Sequence, residues 1–165
     1  TTHMTKIRDN YSHIQIALHW LIVLLFVFNY IFGDGMNRIF DAHMEGKDIA
    51  LWPGMTHVYV GVTMLVLVVI RLIVRRRMGV PAEAPNPREW MTVASTWTHR
   101  LLYVLMAFVP LAGMAAWFGG IDQFGEIHVL LMNALLIVSG IHAAAALYHH
   151  FIMKDGLLKR MWFKH

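Results

Sequence analysis

Four long apolar stretches constrain the fold of this chain more than any other feature of its sequence. They cover roughly residues 14–33, 54–74, 98–118 and 127–151. Each reaches the length of about 20 residues that a helix needs to cross the hydrocarbon core of a membrane. Hydrophobic residues make up 58% of the chain and charged residues 15%, which is far from the balance of a soluble domain. The sequence therefore predicts an all-α, integral membrane four-helix bundle, with residues 1–165 forming a single membrane domain.

The basic residues predict how this bundle is oriented. Of the 14 Lys and Arg residues, all but Arg38 and Lys47 lie in the N-terminal segment, in or beside the connection between the second and third spans, or in the C-terminal tail. Because Lys and Arg accumulate in cytoplasmic loops, we predict that both termini are cytoplasmic. The basic residues that give the formal charge of +4 thus lie beside membrane spans. We therefore expect the chain to interact with the lipid bilayer and not with nucleic acid.

Three connecting segments differ in composition. The outer loop, residues 34–53, mixes charged and apolar residues and is expected to fold against the bundle or to present a docking surface. The inner loop, residues 80–87, is rich in proline, which suits an extended connector. The tail, residues 157–164, interleaves apolar and basic residues and is expected to lie among lipid headgroups.

The chain contains no cysteine and eleven histidines. The lack of cysteine excludes disulfides, thiolate-bound iron–sulfur or zinc sites, and the covalent attachment of a c-type haem. Metal ligation must then depend on His, Met or carboxylate side chains. Several histidines lie inside the apolar stretches, where polar groups are costly and usually have a function. These histidines are therefore the candidate ligands.

The spacing between His128 and His142 in the fourth stretch is the most informative one. Fourteen residues return an α-helix to within about 40° of its starting direction and advance it by about 21 Å. One helix can therefore hold two stacked b-type haems, each of which needs a second axial imidazole from another helix. From the predicted depths, we pair His57 with His128 at the outer edge and His19 with His142 nearer the inner edge. His99 is the reserve inner ligand.

Other residues near the ligands have less specific signals. Arg71 follows His57 by fourteen residues, so it is predicted on the same face, about 21 Å nearer the cytoplasm. There it is expected either to pair with a haem propionate or to extend to the interface. Helix packing explains the small residues Gly61 and Ser139 as well as haem contact does. A single intramembrane histidine often only packs or hydrogen-bonds, but four histidines that match pairwise in depth favour haem ligation.

Seven segments spread along nearly the whole chain carry a family resemblance. They are residues 11–12, 15–20, 55–58, 69–72, 99–103, 110–113 and 140–150. On these segments the chain resembles the bacterial cytochrome b561 family of four-helix dihaem membrane proteins. The resemblance implies electron transfer between the quinone pool and a donor on the outer side of the bacterial inner membrane, with His19, His57, His128 and His142 as haem ligands. One departure is His13, where family members often have arginine.

We therefore expect a quinone-linked oxidoreductase that holds two haem b groups and takes a quinone as its exchangeable substrate. Its quinone site is predicted at the inner edge, where His99, His149 and His150 can supply protons and Arg71 and Gln15 can hold a carbonyl oxygen. Bis-histidine ligation favours outer-sphere electron transfer over oxygen activation. Two alternatives stay open: a non-catalytic haem-binding conduit subunit of a larger membrane complex, and a transporter whose histidines bind a metal ion or relay protons.

Overall fold

The computed structural model describes residues 10–47, 51–81 and 88–163, and for residues 51–54 the description is confined to the backbone. Within these ranges the chain is helical and contains no strand. Its helices are α1 (His13–Phe32), α2 (Met36–Met44), α3 (Leu51–Met78), α4 (Glu89–Trp117) and α5 (Asp122–Tyr148). Four of them, α1, α3, α4 and α5, are long and apolar enough to cross a membrane. The prediction of an all-α bundle with four spans is thus confirmed.

Some sequence predictions concern residues outside this description. They are the basic residues Lys6, Arg8 and Lys164 that enter the orientation argument, residues 48–50 of the outer loop and residues 82–87 of the inner loop. The side chain of Trp52 also lies outside it.

Two helices, α3 and α4, extend well past the predicted spans at the end of the bundle where α1 begins and α5 finishes, which we call the inner end. The second span was predicted to stop near residue 74, but α3 continues to Met78. The third was predicted from residue 98, but α4 begins at Glu89. Hydropathy marks where the apolar residues stop, whereas Arg and Glu are good helix formers that prolong a helix into the interface. Gly79, in the left-handed region at φ 71°, then closes α3.

Both ends of α1 are hydrogen-bonded to α3. Ser12 and Gln15 form a capping box at the start of α1, and Gln15 Nε2 donates to the carbonyl of Gly79 at 2.9 Å. At the other end, Asn29 Nδ2 donates to the carbonyl of His57 at 3.0 Å. The start of α1 meets the end of α3, and the end of α1 meets the start of α3. The two helices are therefore antiparallel.

A small apolar core lies midway along the bundle. It consists of Leu105 and Val109 on α4 with Leu135 on α5, and we call it the central layer. Leu135 stands seven residues from both His128 and His142, so the central layer separates the two histidine levels. The closest packing joins α4 to α5, α1 to α3, and α3 to α4. Neither α1 nor α3 packs closely against α5.

The outer loop contains the short helix α2, which folds against the bundle. The imidazole of His43 stacks on the indole of Trp117, with ring centres 3.8 Å apart and 4° between planes. Its Nε2 donates to the carbonyl of Trp117 at 2.8 Å. The ring of Phe40 covers Gly125 near the start of α5. The first of the two expectations for this loop, packing against the bundle, therefore holds for its described part.

The C-terminal tail folds back onto α1. A π-helical turn, His149–Met153, and Lys154 in the left-handed region (φ 52°) reverse the chain after α5. The indole N–H of Trp20 then donates to the carbonyl of Met161 at 2.6 Å, and the same indole meets the ring of Trp162 edge-on at 5.8 Å. The tail, whose composition suits the membrane interface, thus also makes a defined contact with α1.

Candidate haem-binding sites

The structure brings His57 of α3 and His128 of α5 together at the outer end. Their ring centres are 6.3 Å apart, with 85° between the ring planes. With nitrogen–metal bonds of about 2 Å, two imidazoles on opposite sides of one metal place their ring centres about 6 Å apart. His128 Nδ1 donates to the carbonyl of Val109 at 2.7 Å, which leaves its Nε2 lone pair available. This pair therefore fits a bis-imidazole metal site.

Two buried histidine nitrogens have no hydrogen-bond partner within the described part of the chain. They are Nδ1 of His19 and Nδ1 of His57, and the side-chain oxygen of Asn29 is in the same condition beside His57. Buried polar atoms are nearly always hydrogen-bonded, so unpaired ones call for an explanation. Both histidines belong to the predicted haem ligands. Their unpaired nitrogens therefore fit a site that is completed when a prosthetic group binds.

Three histidines converge at the inner level. The ring centres of His99 and His142 are 5.3 Å apart, with 70° between the planes. His19 lies within electrostatic range of both. His99 Nδ1 also contacts the hydroxyl of Ser95 at 3.4 Å. The separation of His99 and His142 is shorter than the value of about 6 Å that one shared metal requires. Proximity alone therefore does not select the inner pair.

Two arginines flank one tyrosine at the inner end. The guanidinium of Arg71 lies 5.6 Å from the ring centre of Tyr103, and that of Arg75 lies 5.7 Å from it. Within the described part of the chain, neither makes an ion pair. Arg71 is also within electrostatic range of all three inner histidines. The inner end thus presents two half-buried cations close to the inner histidine level.

Tyr11 lies beside these cations. Burial raises the pKa of its phenol above the ordinary value, although the charges of Arg75 and Arg71 act in the opposite direction. The phenol therefore stays protonated at neutral pH. The sequence reasoning assigned neither Tyr11 nor Tyr103 to the site. For Tyr103 a signal existed, because it follows His99 by four residues and so shares its helix face.

The other predicted inner residues have specific partners. Gln15 uses its amide to cap α1 and to reach α3, accepting hydrogen bonds from Ser12 through Oε1 and donating through Nε2, so the structure shows it as an anchor between helices. His149 Nδ1 is hydrogen-bonded to Asp155 at 2.5 Å, a partner that the sequence reasoning missed. The ring of His150 contacts only the neighbouring Phe151 among the aromatic pairs of the described residues.

No group of three His, Cys, Asp or Glu side chains is placed to hold a bare metal ion within the described residues. A haem does not need one, because the porphyrin supplies four nitrogens and the protein supplies the axial ligands. Imidazoles at two levels of a membrane-spanning four-helix bundle fit the class of membrane proteins that hold haem between helices.

Comparison with known proteins gives the family. A family model described as prokaryotic cytochrome b561 matches residues 10–164. The chain belongs to this family and is accordingly a bacterial membrane protein of the haem b type. Cytochrome b562 of Cereibacter sphaeroides is 40% identical over 151 residues, covering 92% of this chain and 94% of that protein.

Two further relatives cover the chain to a similar extent. A probable superoxide oxidase, CybB, of Yersinia pestis is 30% identical over 172 residues, covering 92% of this chain and 94% of the relative. Cytochrome b561 homolog 1 of Escherichia coli K12 is 30% identical over 176 residues, covering 93% and 97%.

Proposed function

We propose that this chain carries electrons across the bacterial inner membrane through two b haems, between a donor on the outer side and the quinone pool. The observation that carries the proposal is the double use of α5, whose His128 and His142 meet other histidines at opposite ends of the bundle. Bound haem supplies a one-electron redox couple, while the chain supplies axial imidazoles, charge and exclusion of water. In this proposal both termini, and therefore the inner end, face the cytoplasm.

For the inner haem we propose His19 and His142 as ligands, with His99 in a supporting position. The outer pair stands on α3 and α5, which do not pack closely and so leave width for a porphyrin between them. The inner pair on α1 and α5 has the same relationship. His99 stands on α4, which packs directly against α5. The unpaired Nδ1 of His19 supports the same choice.

The quinone site is proposed at the inner end, beside the inner haem. Arg71 can pair with a propionate or hold a quinone carbonyl oxygen, since a guanidinium binds such oxygens by charge-assisted hydrogen bonds. Reduction of a quinone consumes two protons with two electrons. His99, His149 and His150 are the proposed proton carriers, and the hydrogen bond to Asp155 orients His149. Arg71 is preferred over Gln15 because the amide of Gln15 already anchors α1.

We further propose superoxide as the electron donor on the outer side. One relative is named a probable superoxide oxidase. Superoxide is a one-electron reductant, and a bis-histidine haem accepts electrons without opening a coordination position. Two superoxide ions, one quinone and two protons give two molecules of oxygen and one quinol, which balances atoms and electrons. We therefore name superoxide as the first donor to test.

The decisive experiment is the optical spectrum of the purified protein together with its haem content per chain. Two low-spin b haems per chain are expected, and a protein without haem would overturn the proposal in favour of the transporter alternative. Turnover is then measured with superoxide and a soluble quinone. Full haem content without quinone reactivity would instead assign the chain to the conduit subunits.

A further inference from the structure

Each outer histidine lies against a glycine of a neighbouring helix or its end. A Cβ placed on Gly113 of α4 would stand 3.0 Å from both Cε1 and Nδ1 of His128. A Cβ placed on Gly33, the residue that closes α1, would stand 3.3 Å from Cε1 and 3.4 Å from Nδ1 of His57. The rings thus occupy space that any other residue would fill with its own side chain.

The carbonyl four residues before each glycine faces the same imidazole. Val109 precedes Gly113 by four residues, and its carbonyl accepts the hydrogen bond from His128 Nδ1 at 2.7 Å. Asn29 precedes Gly33 by four, and its carbonyl lies within reach of the His57 ring. A Cβ built on Gly33 would lie close to both groups, 2.7 Å from the carbonyl oxygen of Asn29 and 3.4 Å from Nδ1 of His57.

The physical reason for this pairing lies in helix geometry. A carbonyl oxygen has two lone pairs, and helical hydrogen bonding to residue i+4 uses at most one of them. When residue i+4 is glycine, no Cβ covers the other lone pair, so a side chain from another helix can reach it. We call the carbonyl and the glycine together a carbonyl–glycine notch.

We propose that two such notches position the outer haem ligands: Val109 and Gly113 hold His128, and Asn29 and Gly33 hold His57. In each, the carbonyl would accept a hydrogen bond from the Nδ1–H of the imidazole and so leave Nε2 free to bind the iron. This inference rests on the proposed outer haem. The Nδ1 of His57 is unpaired in the described structure, and we infer that haem binding moves its ring onto the carbonyl of Asn29.

The inner level lacks this feature at its nearest glycine. A Cβ placed on Gly140, two residues before His142 on α5, would meet nothing within 4 Å. Gly140 therefore serves as a matched control for the same glycine-to-alanine change. A hydrogen bond at Nδ1 raises the basicity of an imidazole ligand and stabilises the ferric state. Loss of a notch should accordingly raise the midpoint potential of the outer haem alone.

The test compares Gly113→Ala, Gly33→Ala and Gly140→Ala in the haem-loaded protein by redox titration, electron paramagnetic resonance and haem content. In the first two we expect a tenfold shift toward the ferrous outer haem, about 59 mV for one electron, or loss of the outer haem with retention of the inner one. Gly140→Ala should leave both potentials unchanged. Both notch variants with two haems at wild-type potentials would overturn the proposal.

A measurement on the unsubstituted protein covers the case in which these variants fail to fold. In ferrous protein labelled with ¹⁵N-histidine, the Nδ1 protons of both outer ligands should be present and should exchange slowly with D₂O. An unprotonated Nδ1 or rapid exchange at either histidine would contradict the notch. If the unsubstituted protein binds no haem, the proposed function itself fails; if it binds haem and only the glycine results disagree, the notch alone fails.

Discussion

His57 and His128 approach each other across the outer end of the bundle from two helices that do not pack closely, with 6.3 Å between ring centres. If α3 and α5 packed directly against each other, no room would remain between them for a flat prosthetic group. The same relationship supports His19 over His99 as the inner ligand, since α1 does not pack closely against α5 whereas α4 does.

Removing either outer imidazole should remove one haem. In His57→Ala or His128→Ala, each chain should retain about one haem, because one iron needs both axial ligands and the four described spans carry no other histidine near their outer ends. Haem content and the redox titration of the purified variants check this. A His57→Ala protein that keeps both haems would disprove the outer pairing.

The inner assignment is tested by comparing two alanine variants. His19→Ala should lose the inner haem, whereas His99→Ala should keep it, since α4 packs directly against α5. The spectrum and haem content of each variant are the measurements. The opposite result, with the inner haem lost only in His99→Ala, would show that His99 is the ligand.

The inner quinone site predicts a kinetic effect at Arg71. In Arg71→Leu protein that still holds two haems, loss of a charge-assisted hydrogen bond should cost about 1.5 kcal/mol, seen as a roughly tenfold higher KM for quinone. His99→Ala should lower turnover. The control is Arg76→Leu, an exposed arginine on the same helix, which should behave as wild type. Unchanged kinetics in both site variants would shift attention to the outer loop around Trp52.

The contact between the tail and α1 predicts an effect on stability without an effect on haem content. Trp20→Phe removes the hydrogen bond to Met161 and should lower stability by about 1 kcal/mol, or the Tm by about 2–4 °C. Trp90→Phe, at a tryptophan that is 63% exposed, is the control. Thermal loss of the haem absorption band gives both Tm values. Equal Tm values in the two variants would mean that the tail contact contributes nothing measurable.

The helices and the levels of their histidines were predictable because both depend on short-range regularities. Apolar length identifies a span, and the constant rise of a helix converts the interval from His128 to His142 into depth. The meeting of His57 with His128 followed from depth alone, since no other intramembrane histidine was predicted at the outer edge.

Features that depend on packing between helices could not be predicted in the same way. The sequence does not reveal that Gly113 faces His128, because this requires the relative rotation of α4 and α5. Nor does it show that Gln15 anchors α1 to α3 or that His149 meets Asp155 across a π-helical turn. Helix α2 was missed because its mixture of charged and apolar residues has no span-length signal.

The fourteen-residue interval on α5 also gives the proposed reaction an electrical cost. Its two histidines lie about 21 Å apart along an axis that crosses a hydrocarbon core of about 30 Å. An electron moved between the two levels crosses about two thirds of the transmembrane field, which is worth about 1.5 kcal/mol at 100 mV. With the cytoplasm negative, inward transfer is opposed by this amount and outward transfer is assisted by it, so the membrane potential biases the direction of electron flow.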